Sequence, residues 1–388
     1  MNADRFISSR LRFEGKLAVW SVAVSFLIMI VSVSISSGFR KEIRNGVSAI
    51  SGDIQLTPST MDYVDESDPV NAHPSYYDEL TAMPQVKSVD PVVYRAGIVK
   101  NGDEIQGVLF KGVQAFPDSV SLGASIPSRL ADMLALGVGD KMTVYFVGEK
   151  IKFRRFTVTE IYPALVDTDE SMLVRTSLKD MQRLNDWDDS QASALEVTLR
   201  DAYKSPKLIE LTGEEVGATV LSASDSRDDA TVSTTVVRKY PKLFDWLNLI
   251  DFNVFVILGL MTVVAGFNMI SGLLILLFRN ISTIGTLKSM GMTDRGIAKV
   301  FLRLSSRVVL KGLLIGNAAA LLFCIIQDKT HLIRLNPANY FVSFVPVSLN
   351  LPMIVLADVA AYGIIMLLLL IPGLFISKVD PAVTVGTR

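Results

Sequence analysis

The sequence predicts a membrane protein with four transmembrane α-helices and a large mixed α+β extracytoplasmic domain between the first and second helix. Two observations predict this fold class. Four apolar runs are long enough to cross a bilayer, and they cover residues 17–35, 252–278, 308–326 and 354–375. Roughly two hundred hydrophilic residues separate the first run from the second. Because 50% of the residues are hydrophobic while 20% are charged, the chain is divided between a membrane and water.

The short flanking segments predict the orientation, because Lys and Arg accumulate on the cytoplasmic side of short loops. Two segments are strongly basic: the one before the first run, and the one between the second and third runs. Their basic residues are Arg5, Arg10, Arg12 and Lys16, then Arg279, Lys288, Arg295, Lys299, Arg303 and Arg307. With four spans, both termini are then expected in the cytoplasm and the large insert outside it.

The first run also has the basic start of a cleaved signal peptide. An uncleaved anchor fits better, because the run is long for that role and lacks a small-residue cleavage site. The expected segments are 1–16 (cytoplasmic), 17–38 (helix 1), 39–247 (extracytoplasmic domain), 248–278 (helix 2), 279–307 (cytoplasmic loop), 308–327 (helix 3), 328–350 (short outer loop), 351–376 (helix 4) and 377–388 (cytoplasmic tail).

The insert is acidic and has no disulfide to stabilise it. Residues 39–247 contain 23 basic and 32 acidic residues, a balance of −9. Cys324, the only cysteine, lies in the third apolar run. At about two hundred residues the insert is large enough to fold around its own core.

Within the insert, hydrophobic alternation and turn residues predict a series of short elements. We expect strands at 53–57, 141–147 and 153–161, helices at 75–82 and 127–136, and a hairpin over 86–113 that turns at Asn101-Gly102-Asp103. Residues 123–189 are expected to form a second subdomain inserted in a β-α-β frame. Segments 195–199 and 219–221 are expected to close that frame. The polar composition of 222–235 predicts a linker.

Catalytic and metal-binding motifs are absent from the sequence. It contains no phosphate-binding loop of the G-x-x-x-x-G-K-[ST] type, no nucleophile elbow and no H-E-x-x-H motif. His73 and His331 are isolated. Two acidic groups, residues 62–68 and 167–170, lack the glycine and final glutamate of an EF-hand loop, so solvated loops are expected rather than calcium sites. The chain is therefore predicted to be non-catalytic, with no metal, cofactor or nucleic-acid partner of its own.

The cytoplasmic segment after the second run predicts a short amphipathic helix. Ile284, Leu287 and Lys288 fall on one face, Gly291 ends the helix, and Thr293 or Asp294 caps the next one. On physical grounds alone, such a helix could simply lie on the membrane surface.

The motif in this segment resembles that of a known family. Ile284-Gly285-x-Leu287-Lys288-x-Met290-Gly291 is similar to the I-G-x-L-K-A-x-G signature of the FtsX-like permeases, which include the lipoprotein-releasing LolC/LolE subunits and MacB. The layout of one span, a large outer domain and three further spans is also typical of the family. Further similarity, to the LolC/LolE subunits in particular, appears in segments 136–141, 158–162, 167–174 and 267–273. Thr283 departs from the family, which usually has an acidic residue there.

The resemblance implies an ABC transporter permease of the bacterial inner membrane. A cytoplasmic ABC ATPase dimer would hold the ATP and Mg²⁺ and would dock on the coupling residues Ile284, Gly285, Leu287, Lys288, Met290 and Gly291. A second permease copy or a paralogue would complete a groove for a lipoprotein, with a periplasmic carrier as the recipient. An FtsX-like regulator of a cell-wall hydrolase and a MacB-like efflux permease are the alternatives.

Several polar or adaptable residues lie within the predicted spans. Asn268, Met269 and Met261 are candidates for the substrate groove, although Asn268 is more readily explained by a hydrogen bond to a neighbouring helix and the methionines by packing. Lys311 is expected to extend toward the cytoplasmic interface. Asp358 is expected to pair with a neighbouring helix rather than to relay protons.

Overall fold

The computed structural model describes residues 16–58, 69–117, 121–148, 151–162, 172–225, 231–336, 340 and 342–373. The chain divides into two compact units. The helical unit comprises Met1–Lys41, Leu247–Arg334 and Phe344–Arg388, and the inserted domain comprises Glu42–Trp246 and Leu335–Ser343. Both acidic groups considered for calcium, 62–68 and 167–170, lie outside the described residues.

Helices and strands are numbered in chain order. The helices are α1 Lys16–Ser51, α2 Tyr77–Ala82, α3 Ser128–Met133, α4 Leu178–Leu184, α5 Pro206–Ala223, α6 Val236–Lys239, α7 Pro241–Arg279, α8 Ile281–Ser289, α9 Asp294–Thr330, α10 Leu351–Leu368 and α11 Leu370–Gly373. The strands are β1 Ile54–Pro58, β2 Val70–Asn71, β3 Val86–Asn101, β4 Glu104–Val113, β5 Gly123–Pro127, β6 Lys141–Phe146, β7 Lys152–Tyr162, β8 Leu173–Ser177, β9 Gln191–Ala192, β10 Ala194–Leu199 and β11 Thr231–Thr235.

Four helices among the described residues are long and apolar enough to cross a bilayer: Lys16–Ser51, Pro241–Arg279, Asp294–Thr330 and Leu351–Pro372. Large apolar side chains remain exposed along them, as at Phe255 (73%) and Phe267 (64%) of α7. A surface this apolar is unsuited to water and is typical of helices that face lipid or another membrane helix. The predicted fold class, four such helices and an α+β domain, is confirmed.

Two glycines of α9 allow close packing against α1. A Cβ at Gly316 would lie 2.4 Å from the carbonyl oxygen of Ala23, and one at Gly312 would lie 2.6 Å from Cγ1 of Val22. The glycines are four residues apart and therefore lie on one face of the helix. This small-xxx-small arrangement lets the two helix backbones approach each other, as is common among membrane helices.

The inserted domain is built on one nine-stranded sheet in the order β11-β1-β10-β3-β4-β8-β5-β7-β6. The long strand β3 also pairs with β6, through Ile98 opposite Tyr145. Strands β3, β4, β8, β5, β7 and β6 therefore close into a ring. The region 123–189, predicted as a separate subdomain, supplies most of this ring but shares β3 and β4 with the rest of the sheet.

Three phenylalanines occupy the inside of the ring. Phe110, Phe146 and Phe156 are at most 1% exposed, and their ring centroids lie 4.9–6.2 Å apart. Centroid distances of this size are typical of favourable aromatic packing. The hairpin between β3 and β4 turns at Gly102, whose φ of +61° favours glycine, as the Asn-Gly-Asp signal predicted.

Two sequence-based assignments in the insert are wrong. Residues 219–221, expected in the sheet, belong to helix α5, which has Ser205 as its N-cap and buries Ile209, Val216 and Val220 on one face. This helical burial overrides the strand preference of the β-branched residues Thr219 and Val220. Part of 222–235, predicted as a linker, forms β11, which pairs antiparallel with β1 over Thr231–Thr235. Strand β11 thus forms one edge of the sheet. The polar composition of this segment does not reveal that it pairs with β1.

Tyr162, at the end of β7, makes the insert sensitive to alkaline pH. Burial raises the pKa of Tyr162 to about 12, although the nearby Arg175 guanidinium acts in the opposite direction. The hydroxyl donates a hydrogen bond to the carbonyl oxygen of Leu173. The unfolded chain releases this proton near pH 10 and the folded chain near pH 12. The stabilisation is therefore complete below pH 10 and is lost as the pH rises through about 12.

We expect the difference in phenolate absorbance between the wild type and Tyr162→Phe to appear near pH 12. The free energy of unfolding of the wild type, relative to that variant, should fall by about 2–3 kcal/mol between pH 10 and 12. A phenolate difference that titrates near pH 10 would contradict the burial of this hydroxyl.

Candidate functional site: a short helix between two spans

Helix α8 is attached to the helical core by one side. Ile284 is 2% exposed and packs in the same cluster as residues of α1, α7, α9 and α10, and Leu287 is partly buried against it. Gly285 is also buried. Because this apolar side is occupied by the protein itself, it is not available to a lipid surface. The interfacial alternative, a helix that only lies on the membrane, therefore loses its support.

The C-terminal end of α8 has the hydrogen bonds of a Schellman motif. The amide of Gly291 donates to the carbonyl of Lys288 at 2.9 Å, and the amide of Met292 donates to that of Leu287 at 3.0 Å. Gly291 has a φ of +86°, which is the left-handed conformation that this motif requires. Leu287 and Met292 pack against the same core. A hydrophobic contact between residues at these two positions frequently accompanies a Schellman motif. The turn after α8 is therefore sharply defined.

The next helix begins immediately after this turn. The Thr293 side chain caps α9 by accepting a hydrogen bond from the amide of Gly296 at 3.3 Å. The Lys288 ammonium lies 2.8 Å from the carboxylate of Asp294, in the first turn of α9. This ion pair joins the two helices across the turn, and the side chain of Lys288, a predicted coupling residue, is 12% exposed.

The outer side of α8 is uncharged. Met290 is 78% exposed, and the remaining exposed side chains there include four hydroxyl groups, those of Ser282, Thr283, Thr286 and Ser289. A methionine surrounded by small hydroxyl side chains gives a compact surface that another protein could cover without desolvating a charge. Of the six predicted coupling residues, Met290 and Gly291 lie on the exposed side, and Ile284, Gly285, Leu287 and Lys288 position the helix.

The three candidate groove residues lie in different surroundings on α7. Met269 is fully buried in the helical core and Met261 is partly buried against it, whereas Asn268 is exposed. The Asn268 amide donates a hydrogen bond to the hydroxyl of Ser21 on α1. Asn268 thus has the interhelical partner that its position suggested, and it lies where α1 and α7 meet at the surface of the helical unit.

Asp358 pairs with a neighbouring helix, as expected. The Asn317 amide of α9 donates to the Asp358 carboxylate of α10 at 2.6 Å. Lys311, which precedes Asn317 by six residues on α9, is exposed. A partly buried polar pair of this kind can fix the register of two membrane helices.

Sequence reasoning missed the partners of these groups. Ser21, Asn317 and the glycine pair Gly312 and Gly316 were not singled out. The spacing of the two glycines on an apolar helix is a recognisable packing signal. By contrast, nothing in the sequence links Ser21 to a residue more than two hundred positions away.

Two family models match the chain. Residues 17–211 match the MacB-like periplasmic core domain, and residues 255–381 match the FtsX-like permease C-terminal region. The first match alone covers half of the chain. The chain belongs to the FtsX-like and MacB-like permease family. The resemblance of the coupling segment pointed to this family, and the family membership is confirmed.

Curated relatives match over nearly the whole permease. The lipoprotein-releasing system transmembrane protein LolC of Neisseria meningitidis is 21% identical over 404 residues, which cover 95% of this chain and 93% of the relative. LolE of Haemophilus influenzae is 21% identical with the same coverage of both chains. The periplasmic region of MacB from Actinobacillus actinomycetemcomitans is a similar solved structure, with 12% identity, coverage of 49% of this chain and 91% of that one, and a TM-score of 0.30.

These comparisons support an ABC transporter permease, a multi-pass protein of the inner membrane. Permease subunits of this family are generally non-catalytic and work with a partner ATPase and other subunits. That agrees with the missing phosphate-binding loop in the sequence.

Proposed function

We propose that this permease extracts lipoproteins from the inner membrane for delivery to the outer membrane, driven by ATP hydrolysis in a separate ATPase subunit. The observation that carries the proposal is the similarity to LolC and LolE, which extends over 95% of the chain and includes both the inserted domain and the spans. The permease itself would bind neither ATP nor Mg²⁺.

In this proposal, the ATPase dimer docks on α8 and the turn that follows it. The exposed side of α8 would contact the ATPase, and the buried side chain of Ile284 would pass the resulting movement to the helical core. The basic residues that flank the spans favour a cytoplasmic location for α8 and for both termini. The inserted domain would then lie in the periplasm.

Four spans are too few to enclose a groove for acyl chains, so we propose that a second permease copy or a paralogue completes it. The surface where α1 and α7 meet is the candidate wall of this groove, because Asn268 is exposed there beside Ser21. The apolar side chains of Phe255 and Phe267 on α7 are also exposed and would suit membrane lipid or acyl chains. A periplasmic carrier would receive the released lipoprotein.

Depletion of the permease in its parent bacterium tests this proposal. We expect outer-membrane lipoproteins to accumulate in the inner-membrane fraction, as measured by density-gradient fractionation and immunoblotting, while β-barrel proteins still reach the outer membrane. Re-expression of the wild type should restore the distribution.

Normal lipoprotein delivery after depletion would contradict the proposal. Two other phenotypes would indicate the alternatives. Sensitivity to toxic compounds with normal lipoprotein delivery would favour a MacB-like efflux permease. Loss of cell-wall hydrolysis at division would favour an FtsX-like regulator.

A further inference from the structure

The C-terminal end of α1 is capped by a lysine from the sheet of the inserted domain. The ammonium of Lys111, on β4, donates to the carbonyl oxygens of Ala49 at 3.2 Å and Ile50 at 3.0 Å. The last carbonyls of a helix have no partner within the helix and carry partial negative charge. The last turn of α1 has no basic residue of its own. The cation that complements this helix end therefore comes from a distant part of the chain.

Lys111 is part of a buried cluster from three neighbouring strands. Its ammonium lies 2.7 Å from the carboxylate of Glu196 on β10. The Tyr94 hydroxyl, on β3 between them, lies within hydrogen-bonding distance of both that carboxylate and the carbonyl of Ile50, at 2.8 Å from the latter. Lys111, Glu196 and Tyr94 are 4%, 7% and 3% exposed. Burial lowers the pKa of Lys111, and the Glu196 carboxylate opposes this effect.

The residues immediately after α1 also make hydrogen bonds to the helix end and to the sheet. Gly52 has a φ of +71°, and its amide donates to the carbonyl of Ser48. The carboxylate of Asp53 accepts hydrogen bonds from the Ser48 hydroxyl at 2.6 Å and from the amide of Leu199 at 2.8 Å. The end of α1 is thus bonded to the sheet through two separate sets of side chains.

A helix end could be capped by water or by a following glycine alone, without burying charge. Burying an ion pair removes the hydration of both charges, which costs free energy. The attraction between the charges offsets this cost only when their geometry is well defined. Its better-attested use is to specify one arrangement of the elements that it joins. Here it joins the last turn of α1, the part of that long helix that belongs to the inserted domain, to the central strands of the sheet.

We propose that Lys111, Glu196 and Tyr94 are positioning residues that fix the last turn of α1 to the sheet, so that ATP-driven movement of α1 is transmitted into the inserted domain. The inference rests on the proposed function, in which an external ATPase drives the permease. Without the cluster, ATP hydrolysis continues but moves the inserted domain less, because the hydrogen bonds of Asp53 still hold this helix end to the sheet.

The double variant Lys111→Met with Glu196→Gln tests the inference, because it removes both charges and leaves no unpaired ion in the core. The milder variant Tyr94→Phe removes only the hydroxyl. The matched control is Lys152→Met. Lys152 also bonds a helix-end carbonyl, that of Leu184 at 2.8 Å, and a carboxylate, that of Asp186 at 2.8 Å, but it does not cap α1.

Each variant is purified as the full complex with its ATPase in lipid nanodiscs. We measure the ATPase rate, the release of lipoprotein, and amide hydrogen exchange of residues 86–113 and 194–199 with and without ATP and vanadate. For the double variant we expect an ATPase rate within twofold of the wild type, release reduced at least tenfold, and an ATP-dependent change in exchange that is clearly smaller than in the wild type. Tyr94→Phe should reduce release severalfold, and Lys152→Met should leave all three readouts at the wild-type level.

The inference is overturned if the double variant keeps the ATP-dependent exchange change at the wild-type size, or if the wild type shows none. It is also overturned if Tyr94→Phe and Lys152→Met reduce release equally, since the cluster would then be one structural contact among many. The exchange measurement does not depend on the substrate. A wild type that responds to ATP but releases no lipoprotein would refute the proposed substrate and leave the role of the cluster standing.

Discussion

Replacing Gly316 with alanine is expected to destabilise the packing of α9 on α1. The added Cβ would lie 2.4 Å from the carbonyl oxygen of Ala23 and 2.9 Å from Cβ of Phe26. The first of these atoms belongs to the backbone and cannot rotate away, so the two helices must move apart. Overpacking of a core by one methyl group typically costs about 1–3 kcal/mol, and a backbone contact places this site at the upper end.

Thermal unfolding of the purified permease in detergent measures the effect. Gly363→Ala in α10 is the matched control, since a Cβ there would meet no atom of the described residues within 4 Å apart from the adjacent backbone of its own helix. We expect a clear fall in the unfolding temperature for Gly316→Ala, and none for the control beyond the small gain that alanine gives a helix. Gly312→Ala should also be destabilising, because its Cβ would lie 2.6 Å from Cγ1 of Val22. Equal unfolding temperatures for Gly316→Ala and Gly363→Ala would contradict the close approach of α1 and α9.

The membrane part of the fold could be predicted because its signal is local. An apolar run such as 354–375 identifies a helix by length and composition alone, without any knowledge of its neighbours. Hairpin β3–β4 is similar, since Gly102 marks a turn that only a few residues can adopt. In both cases the residues that carry the information are next to one another in the chain.

The pairing of distant strands could not be predicted in the same way. Strand β11 forms against β1, and its sequence, Thr-Val-Ser-Thr-Thr, is polar enough for a linker. The ring closes because β3 pairs with both β4 and β6. The sequence of β3 does not identify the distant strand β6 as a partner. Strand pairing is a tertiary property, and single-strand composition carries little of it.

In the candidate site, too, the local features could be predicted from the sequence and the contacts with distant residues could not. The helix, its glycine end and its threonine cap all follow from residues 281–293, and the structure has each of them. The side that α8 buries depends on the core formed by four other helices. The partners of Asn268 and Asp358, which are Ser21 and Asn317, likewise come from other helices. The sequence suggested that both side chains would need such partners, but it could not identify them.

Replacing Gly291 with alanine is expected to weaken the association with the ATPase. The residue has a φ of +86°, and L-residues pay about 1–2 kcal/mol in the left-handed region. Among the described residues, no atom outside Gly291 and its two chain neighbours lies within 4 Å of the position that its Cβ would occupy, so the cost is one of backbone conformation rather than of contact. If docking requires the turn as it stands, this strain corresponds to roughly a five- to thirty-fold weaker complex.

Gly296→Ala is the matched control, because Gly296 lies only five residues further on, in the first turn of α9. Its Cβ would meet its nearest atoms at ordinary contact distances of 3.4–3.5 Å. Co-purification of the ATPase with the tagged permease, quantified over a range of ATPase concentrations, should therefore separate the two variants while membrane insertion remains equal. Substitution at Met290, which is 78% exposed, provides an independent check, since Met290→Glu changes the docking surface without altering the turn. If both Gly291→Ala and Met290→Glu retain the ATPase at wild-type affinity, α8 is not the docking site, and the movement must enter the permease elsewhere.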